Sequence, residues 1–276
     1  HNLIAVLMRN ATQSLSKAAY SAKMERSLGL GAMGFHSYLQ KNNILFESAL
    51  ATSVNRRMFS HIKKQALAAT QQLARERGAC PDANSQLIRN MHLLAIAPNA
   101  SSSIICGGTS ASTEPYNRNA YTHKTDSGSW QVRNPYLSKV LAKYGHDDED
   151  TWRDILLNKG SVQHLEYLSE HERELYKTAD ELNQFWIVEH AATRQEYICQ
   201  AQSVNLFFAA DASVSYLHQV HFRAWQAGLK TLYYLRSTAI KRAEGALEAS
   251  EASRKAEPTL SRDDLLSDSV CLSCEG

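Results

Sequence analysis

Short apolar runs alternate with long helical stretches along this chain, and that alternation limits the fold more than any single motif. The runs His92–Ala97, Val204–Ala209 and Thr231–Leu235 are too short for buried helices and read as strands. Pro98 stops the first, because the residue before a proline is pushed out of helical conformation. Helical patterns fill the intervals. One covers 2–24, where Leu3, Val6 and Leu7 share a face, and another covers about 53–77, with Ser53 as its expected N-cap and Gly78 after a basic last turn. Asn134-Pro135 opens a helix that ends near Gly145, and further helices are expected over about 149–158, 163–174, 176–196 and 212–228. Short strands separated by helices of this length become parallel neighbours, so the expected class is α/β. Residues 98–133, rich in Ser, Thr, Asn and Gly, read as a loop long enough to carry function.

Composition narrows the function classes. The 276 residues allow one large domain or two small ones, and 43% hydrophobic with 21% charged residues is ordinary for a folded protein. A net charge of +2 gives no argument for a nucleic-acid or membrane partner. No apolar run approaches the roughly 20 residues that span a bilayer, and no signal-peptide pattern is present. Five unevenly placed cysteines make no disulfide framework, which points to a reducing, cytoplasmic compartment. From about Glu244 the chain is Ala, Ser, Glu, Lys and Asp with few large apolar residues, so the expected division is a folded body over 1–243 and a disordered, flexible tail over 244–276. Helical periodicity from Leu3 on, behind an initial His1, reads as a piece beginning mid-architecture.

Cys271 and Cys274 stand at the end of that tail. A dithiol on a tether can carry electrons to a place it does not permanently occupy; two idle exposed thiols fit the spacing as well. With no second CxxC and no nearby His, zinc would lack half its usual ligands. Gly29-Leu30-Gly31-Ala32-Met33-Gly34 has the letters of a dinucleotide fingerprint, yet what precedes it is charged and helical rather than a buried strand. Pro98-Asn99-Ala100-Ser101-Ser102-Ser103 is more informative, because a strand ends where a helix could begin, and free N–H groups with Ser hydroxyls there suit a phosphate. A serine-rich cap without a ligand remains the alternative. His218 and His221, at i and i+3 on one helix, have no carboxylate partner on their face and sit beside Phe222 and Trp225, so packing is expected rather than a metal site. Tyr233 and Tyr234 would face opposite sides of a regular strand; for both to act in one chain of chemistry, the local geometry must depart from a strand.

These pieces together resemble the C-terminal part of the large, catalytic subunit of class I ribonucleotide reductase. The matching stretches run in order: Arg26–His36, Gly78–Pro81, Ile96–Ser103, Gly108–Pro115, Arg194–Tyr197, Gln202–Leu206, Gly228–Tyr234 and the terminal cysteine pair. The resemblance implies the second half of a ten-stranded α/β barrel, and it makes the glycine motif a family turn unrelated to dinucleotides. It implies that Pro98, Asn99, Ala100, Ser101 and Ser102 hold the substrate diphosphate; relatives often carry an acidic residue where Ala100 stands, which backbone donors do not require.

Tyr233 and Tyr234 would relay a radical arriving from the small, metal-containing subunit, since a Tyr O–H can give up a proton and an electron together. Cys271 and Cys274 would re-reduce the active-site disulfide and be reduced in turn by thioredoxin or glutaredoxin. The helix over 212–228 would help form the groove for the small subunit's C-terminal peptide. Cys80, Cys106 and Cys199 do not match the thiyl motif and are expected to be structural. The thiyl cysteine and the allosteric nucleotide sites would lie on an N-terminal partner, so this chain is expected to need that partner to reduce ribonucleoside diphosphates to deoxyribonucleoside diphosphates. No cofactor is expected in the chain itself. The rival expectation is a non-catalytic interaction fragment that binds the small subunit or the N-terminal piece.

Overall fold

Side-chain caps decide where most of the helices begin. The structure, a computed structural model, describes residues 15–125 and 128–237. In chain order the helices and strands are α1 (Ser16–Glu25), α2 (Phe35–Lys41), α3 (Ala49–Arg77), α4 (Ala100–Ile105), β1 (Ala120–Thr125), β2 (Gly128–Arg133), α5 (Pro135–Tyr144), α6 (Glu149–Leu157), α7 (Glu170–Leu175), α8 (Gln184–Gln195), β3 (Leu206–Phe208), α9 (Val214–Gln226) and β4 (Leu235–Ser237). Asn134 caps α5 by accepting the Tyr136 N–H at 3.0 Å, Asp148 caps α6, Asn183 caps α8 and Ser213 caps α9. Each satisfies a backbone donor that a helix start would otherwise leave without a partner. Ser169 and Glu172 form a reciprocal capping box on α7.

Several expected boundaries move, each for a local reason. The long helix α3 starts at Ala49, not Ser53, because the Ser48 hydroxyl accepts the Ala51 N–H at 3.1 Å. The helix expected over 163–174 is only α7. Val162, Leu165 and Leu168 do recur with helical spacing and are buried, but successive turns bring them inward, with the Leu165 and Leu168 amides each bonding three residues back. The helix expected over 176–196 begins at Gln184. The loop expected over 98–133 contains α4 and the antiparallel hairpin β1–β2. The strand expected over Thr231–Leu235 is displaced to Leu235–Ser237. Residues 2–14 and 244–276 lie outside the described residues, so the N-terminal part of the first helix and the tail are left as expectations.

The α/β expectation holds. Four extended segments lie side by side in parallel: 28–30, 92–97, 200–208 and 233–237. Leu30 bridges Leu94, Ile96 bridges Gln202, and β3 pairs with β4. Helices connect each segment to the next, as parallel neighbours require. The glycine motif fits this packing rather than a phosphate. A Cβ on Gly31 would lie 2.9 Å from the Ala95 carbonyl, so only glycine allows the first two segments to approach. Gly34, at φ 83°, turns the chain into α2.

The largest apolar cluster joins Phe35, Leu39, Phe46, Val54, Val188, Leu206, Phe207 and Val220 between α2, α3, α8, α9 and β3. A second gathers Ala120, Leu137, Leu141, Trp152 and Tyr176 beneath the hairpin. Phe59, Leu94, Ile96 and Ile198 form a third, behind the first parallel segments. The first and third clusters include residues of the parallel segments themselves, Leu206 to Phe208 in one and Leu94 with Ile96 in the other, and so back the array; parallel strands bind ligands at their carboxyl ends.

Candidate functional site

The residues expected to hold an anion follow directly from the 92–97 segment. Asn99 adopts the left-handed conformation at φ 54° and starts α4, whose first turn carries Ala100, Ser101 and Ser102 on the surface. No side chain caps this turn. Ser103 is committed elsewhere, its hydroxyl donating to the Ala100 carbonyl at 2.6 Å. Beside α4, a cleft of about 320 Å³ is lined by Ser103, Gly108, Glu114, Tyr116, Arg118, Tyr121 and Arg133 among others. The loop forming its floor is pinned to α2. The Tyr116 N–H donates to His36 Nδ1 at 3.0 Å, and the Tyr116 hydroxyl donates to the Gly108 carbonyl at 2.9 Å. Burial pushes the Tyr116 hydroxyl up to about 12, so it stays protonated.

The tyrosine pair departs from a regular strand in a specific way. The Tyr233 N–H donates to the Val204 carbonyl at 2.8 Å, and the Leu206 N–H donates to the Tyr234 carbonyl at 2.9 Å. In an unbroken parallel ladder the Leu206 amide would reach the Tyr233 carbonyl instead. Two residues, Tyr233 and Tyr234, therefore oppose the single Asn205, which is a β-bulge. The extra residue cancels the alternation that would send the rings to opposite faces. Their centroids lie 4.1 Å apart, tilted by 50°. Both rings are about two-fifths exposed, at 42% and 43%.

Behind the bulge lies a polar group that the sequence did not single out. The Tyr234 N–H, displaced from the ladder, donates to Asn205 Oδ1 at 3.1 Å, and Asn205 Nδ2 donates to Glu114 Oε1 at 2.7 Å. Burial pushes the Glu114 carboxyl up to about 7, against the opposing influence of Arg236, Asn205 and Arg194. Arg194 is fully enclosed; its Nε donates to Gln202 Oε1 at 2.6 Å, while its Nη1 is buried without a partner among the described residues. Burial pulls its guanidinium down to about 9, which leaves it charged at neutral pH. The Arg236 guanidinium stands 5.5 Å from the Tyr234 ring centre. The signal that could have marked Glu114 is its isolation: it is the one acidic residue between Asn99 and Thr125, in a stretch otherwise built of small and polar residues.

The remaining candidates separate. Cys271 and Cys274 lie outside the described residues. Cys80 is buried, and Cys199 Sγ accepts the Leu93 and Leu94 amides at 3.1 and 3.3 Å, both structural positions. Cys106 is exposed at the end of α4, so nothing packs it into a core as the structural reading required. The His218 ring stacks on Phe222 and the His221 ring on Phe208, which is the packing expected of them. Among the described residues no group of three His, Cys, Asp or Glu could hold a metal ion, and no helix is long and apolar enough to cross a membrane.

This arrangement of parallel segments, a small-residue turn after one and paired tyrosines before another, has known relatives. Residues 2–87 and 82–235 match the family described as "Ribonucleotide reductase, barrel domain". The chain belongs to this family. Among ribonucleotide reductase relatives, the ribonucleoside-diphosphate reductase large subunit of Invertebrate iridescent virus 6 is 44% identical over 247 residues, covering 88% of this chain and 26% of that protein. The large subunit of Invertebrate iridescent virus 3 is 39% identical over 278 residues, covering 100% of this chain and 42% of that protein. The solved Actinobacillus ureae class Id ribonucleotide reductase alpha subunit matches with a TM-score of 0.80 at 37% identity, over 87% of this chain and 45% of that one. The chain thus spans less than half the length of each of these ribonucleotide reductase relatives.

Proposed function

We propose that this chain forms part of the catalytic barrel of a class I ribonucleoside-diphosphate reductase. In this reading Tyr233 and Tyr234 pass a radical from a metal-containing small subunit toward the substrate. The observation that carries it is the bulge, which sets two phenol rings 4.1 Å apart on one side of a strand where regular geometry would separate them. Each transfer moves a proton and an electron from a phenol to the phenoxyl that precedes it in the relay, so the radical advances and nothing is consumed. The turn from Pro98 through Asn99, Ala100, Ser101 and Ser102 would receive the diphosphate of a ribonucleoside diphosphate at a strand's carboxyl end.

Reduction of the ribose leaves an active-site disulfide. Cys271 and Cys274 would attack it as thiolates, becoming a disulfide while it returns to two thiols, and thioredoxin or glutaredoxin would then reduce them. The thiyl-radical cysteine would come from an N-terminal part of the large subunit. The parallel array supports such a junction. Among the described residues the 28–30 and 233–237 segments each have one neighbour, and Leu28, Leu30 and Leu235 are about half exposed there.

Reconstitution tests the reading. The chain, combined with an N-terminal large-subunit piece and a small subunit, is expected to reduce CDP, and Tyr233→Phe or Tyr234→Phe is expected to bring turnover to background with assembly intact. Absence of turnover from a complex shown to assemble would leave only an interaction role. Near-normal rates in either Phe variant would remove the relay.

A further inference from the structure

We propose that Glu114, acting through Asn205, is a positioning residue that holds the Tyr233–Tyr234 bulge and so keeps both rings on one side of the strand. The relevance of this to turnover rests on the relay reading above; the structural coupling itself does not.

The geometry carries the inference. A bulge strands one backbone amide, and here that amide, on Tyr234, is taken up by the Asn205 side chain at 3.1 Å. An asparagine amide can point either way, but only one orientation accepts from Tyr234. That orientation turns Nδ2 toward Glu114 Oε1, an acceptor in every protonation state, at 2.7 Å. Glu114 is therefore what fixes the amide's direction. Glu114 is itself held in place, its N–H donating to the Ala111 carbonyl. Its loop is anchored to α2 through Tyr116 and His36.

A hydrophobic residue at Glu114 would leave Asn205 Nδ2 without a partner in a site nearly closed to water, since Asn205 is 1% exposed. The charged groups that act on Glu114 are Arg236 from β4 and Arg194 from α8, and Tyr116, Arg118, Tyr121 and Arg133 line the same cleft. The carboxyl, pushed by burial to about 7, changes charge near neutral pH among these guanidinium groups. The hydrogen bond it accepts strengthens as it ionises. The Tyr234 amide, one side chain away, should register that change.

The test reads the Tyr234 amide directly. In the chain labelled with ¹⁵N-tyrosine, the Tyr234 resonance is assigned by its loss in Tyr234→Phe and followed between pH 5.5 and 8. The wild type is expected to show an inflection near neutrality that Glu114→Gln lacks. A flat wild-type shift, or an inflection unchanged in Glu114→Gln, overturns the coupling, and the wild-type titration does not depend on a Glu114 variant folding. In the reconstituted enzyme, Glu114→Ala is expected to lower kcat by on the order of 10- to 100-fold, the loss that misplacement of a reacting group causes, with KM for the substrate unchanged. Glu114→Gln, which can still accept from Asn205, is expected to recover most of that rate and to flatten the pH profile around neutrality. Full activity in Glu114→Ala, with Tyr234→Phe inactive, overturns positioning while the relay stands. Normal activity in Tyr234→Phe removes the relay, and the amide titration then still decides whether Glu114 sets the bulge.

Discussion

Two imidazoles, His36 and His190, lie in the core as neutral groups. Burial brings His36 down to about 3, with the neighbouring His190 acting in the same direction, and brings His190 down to about 4. His190 Nε2 donates to the Phe46 carbonyl at 2.8 Å, which sets its tautomer. Their folded values lie below the usual 6.5, so as pH falls the unfolded chain takes up protons before the folded one does. Stability is thus present above about 6.5 and is lost as pH falls toward 4, by about 2 kcal/mol per histidine at pH 5. Glu114 slopes the other way, because its carboxyl is raised from 4.5 to about 7 and the folded state gains protons first. Two groups outweigh one. A melting temperature that falls between pH 7 and pH 5, and falls less in His190→Gln, is the expected result; an unchanged slope in that variant would count against it. At this scale the sequence showed the tyrosines as a pair but not their shared side, because an inserted residue leaves no mark on an apolar pattern. Glu114 was hidden for a related reason, since a carboxyl in a polar loop gives no sign of being buried.

Among the elements, α5 was the most legible, because Asn134-Pro135 is both a cap and a stop for what precedes it. The Asn134 side chain does more than cap. Its Nδ2 donates to Gln40 Oε1 at 3.0 Å and to Asn119 Oδ1 at 2.9 Å, tying α5 to α2 and to the entry of the hairpin. Asn134→Ala removes a cap worth about 1 kcal/mol and strands two buried acceptors, so a total loss of roughly 2–4 kcal/mol is expected in urea unfolding. A loss confined to the cap value would mean that the two acceptors find other partners. The same kind of signal misled at Ser53, where a second serine five residues earlier was the cap. Over 163–174 a helix was expected where the chain makes consecutive three-residue turns, which bury Val162, Leu165 and Leu168 at the same spacing that a helix would. The hairpin was missed because its outward face carries no alternation, Gly128, Ser129, Trp130 and Gln131 all being exposed.

For the molecule as a whole, α/β organisation was legible from the alternation of runs and helices, whereas the order of the parallel segments was not, because pairing is decided by packing far away in sequence. The tail's role is open to direct measurement. Cys271→Ser with Cys274→Ser is expected to stop turnover supported by thioredoxin in the reconstituted enzyme and to spare turnover supported by a small dithiol; equal loss with both reductants would sink the shuttle. The flanks of the parallel array, each with one neighbour among the described residues, have a consequence for handling the protein. Edge segments that carry half-exposed leucines, as at Leu28, Leu30 and Leu235, are places where another chain can add a strand. Self-association in the test tube and productive joining to a complementary piece would then compete for the same surfaces. The yield of soluble, functional material would depend on which encounter comes first, favouring synthesis alongside the complementary piece over mixing afterwards.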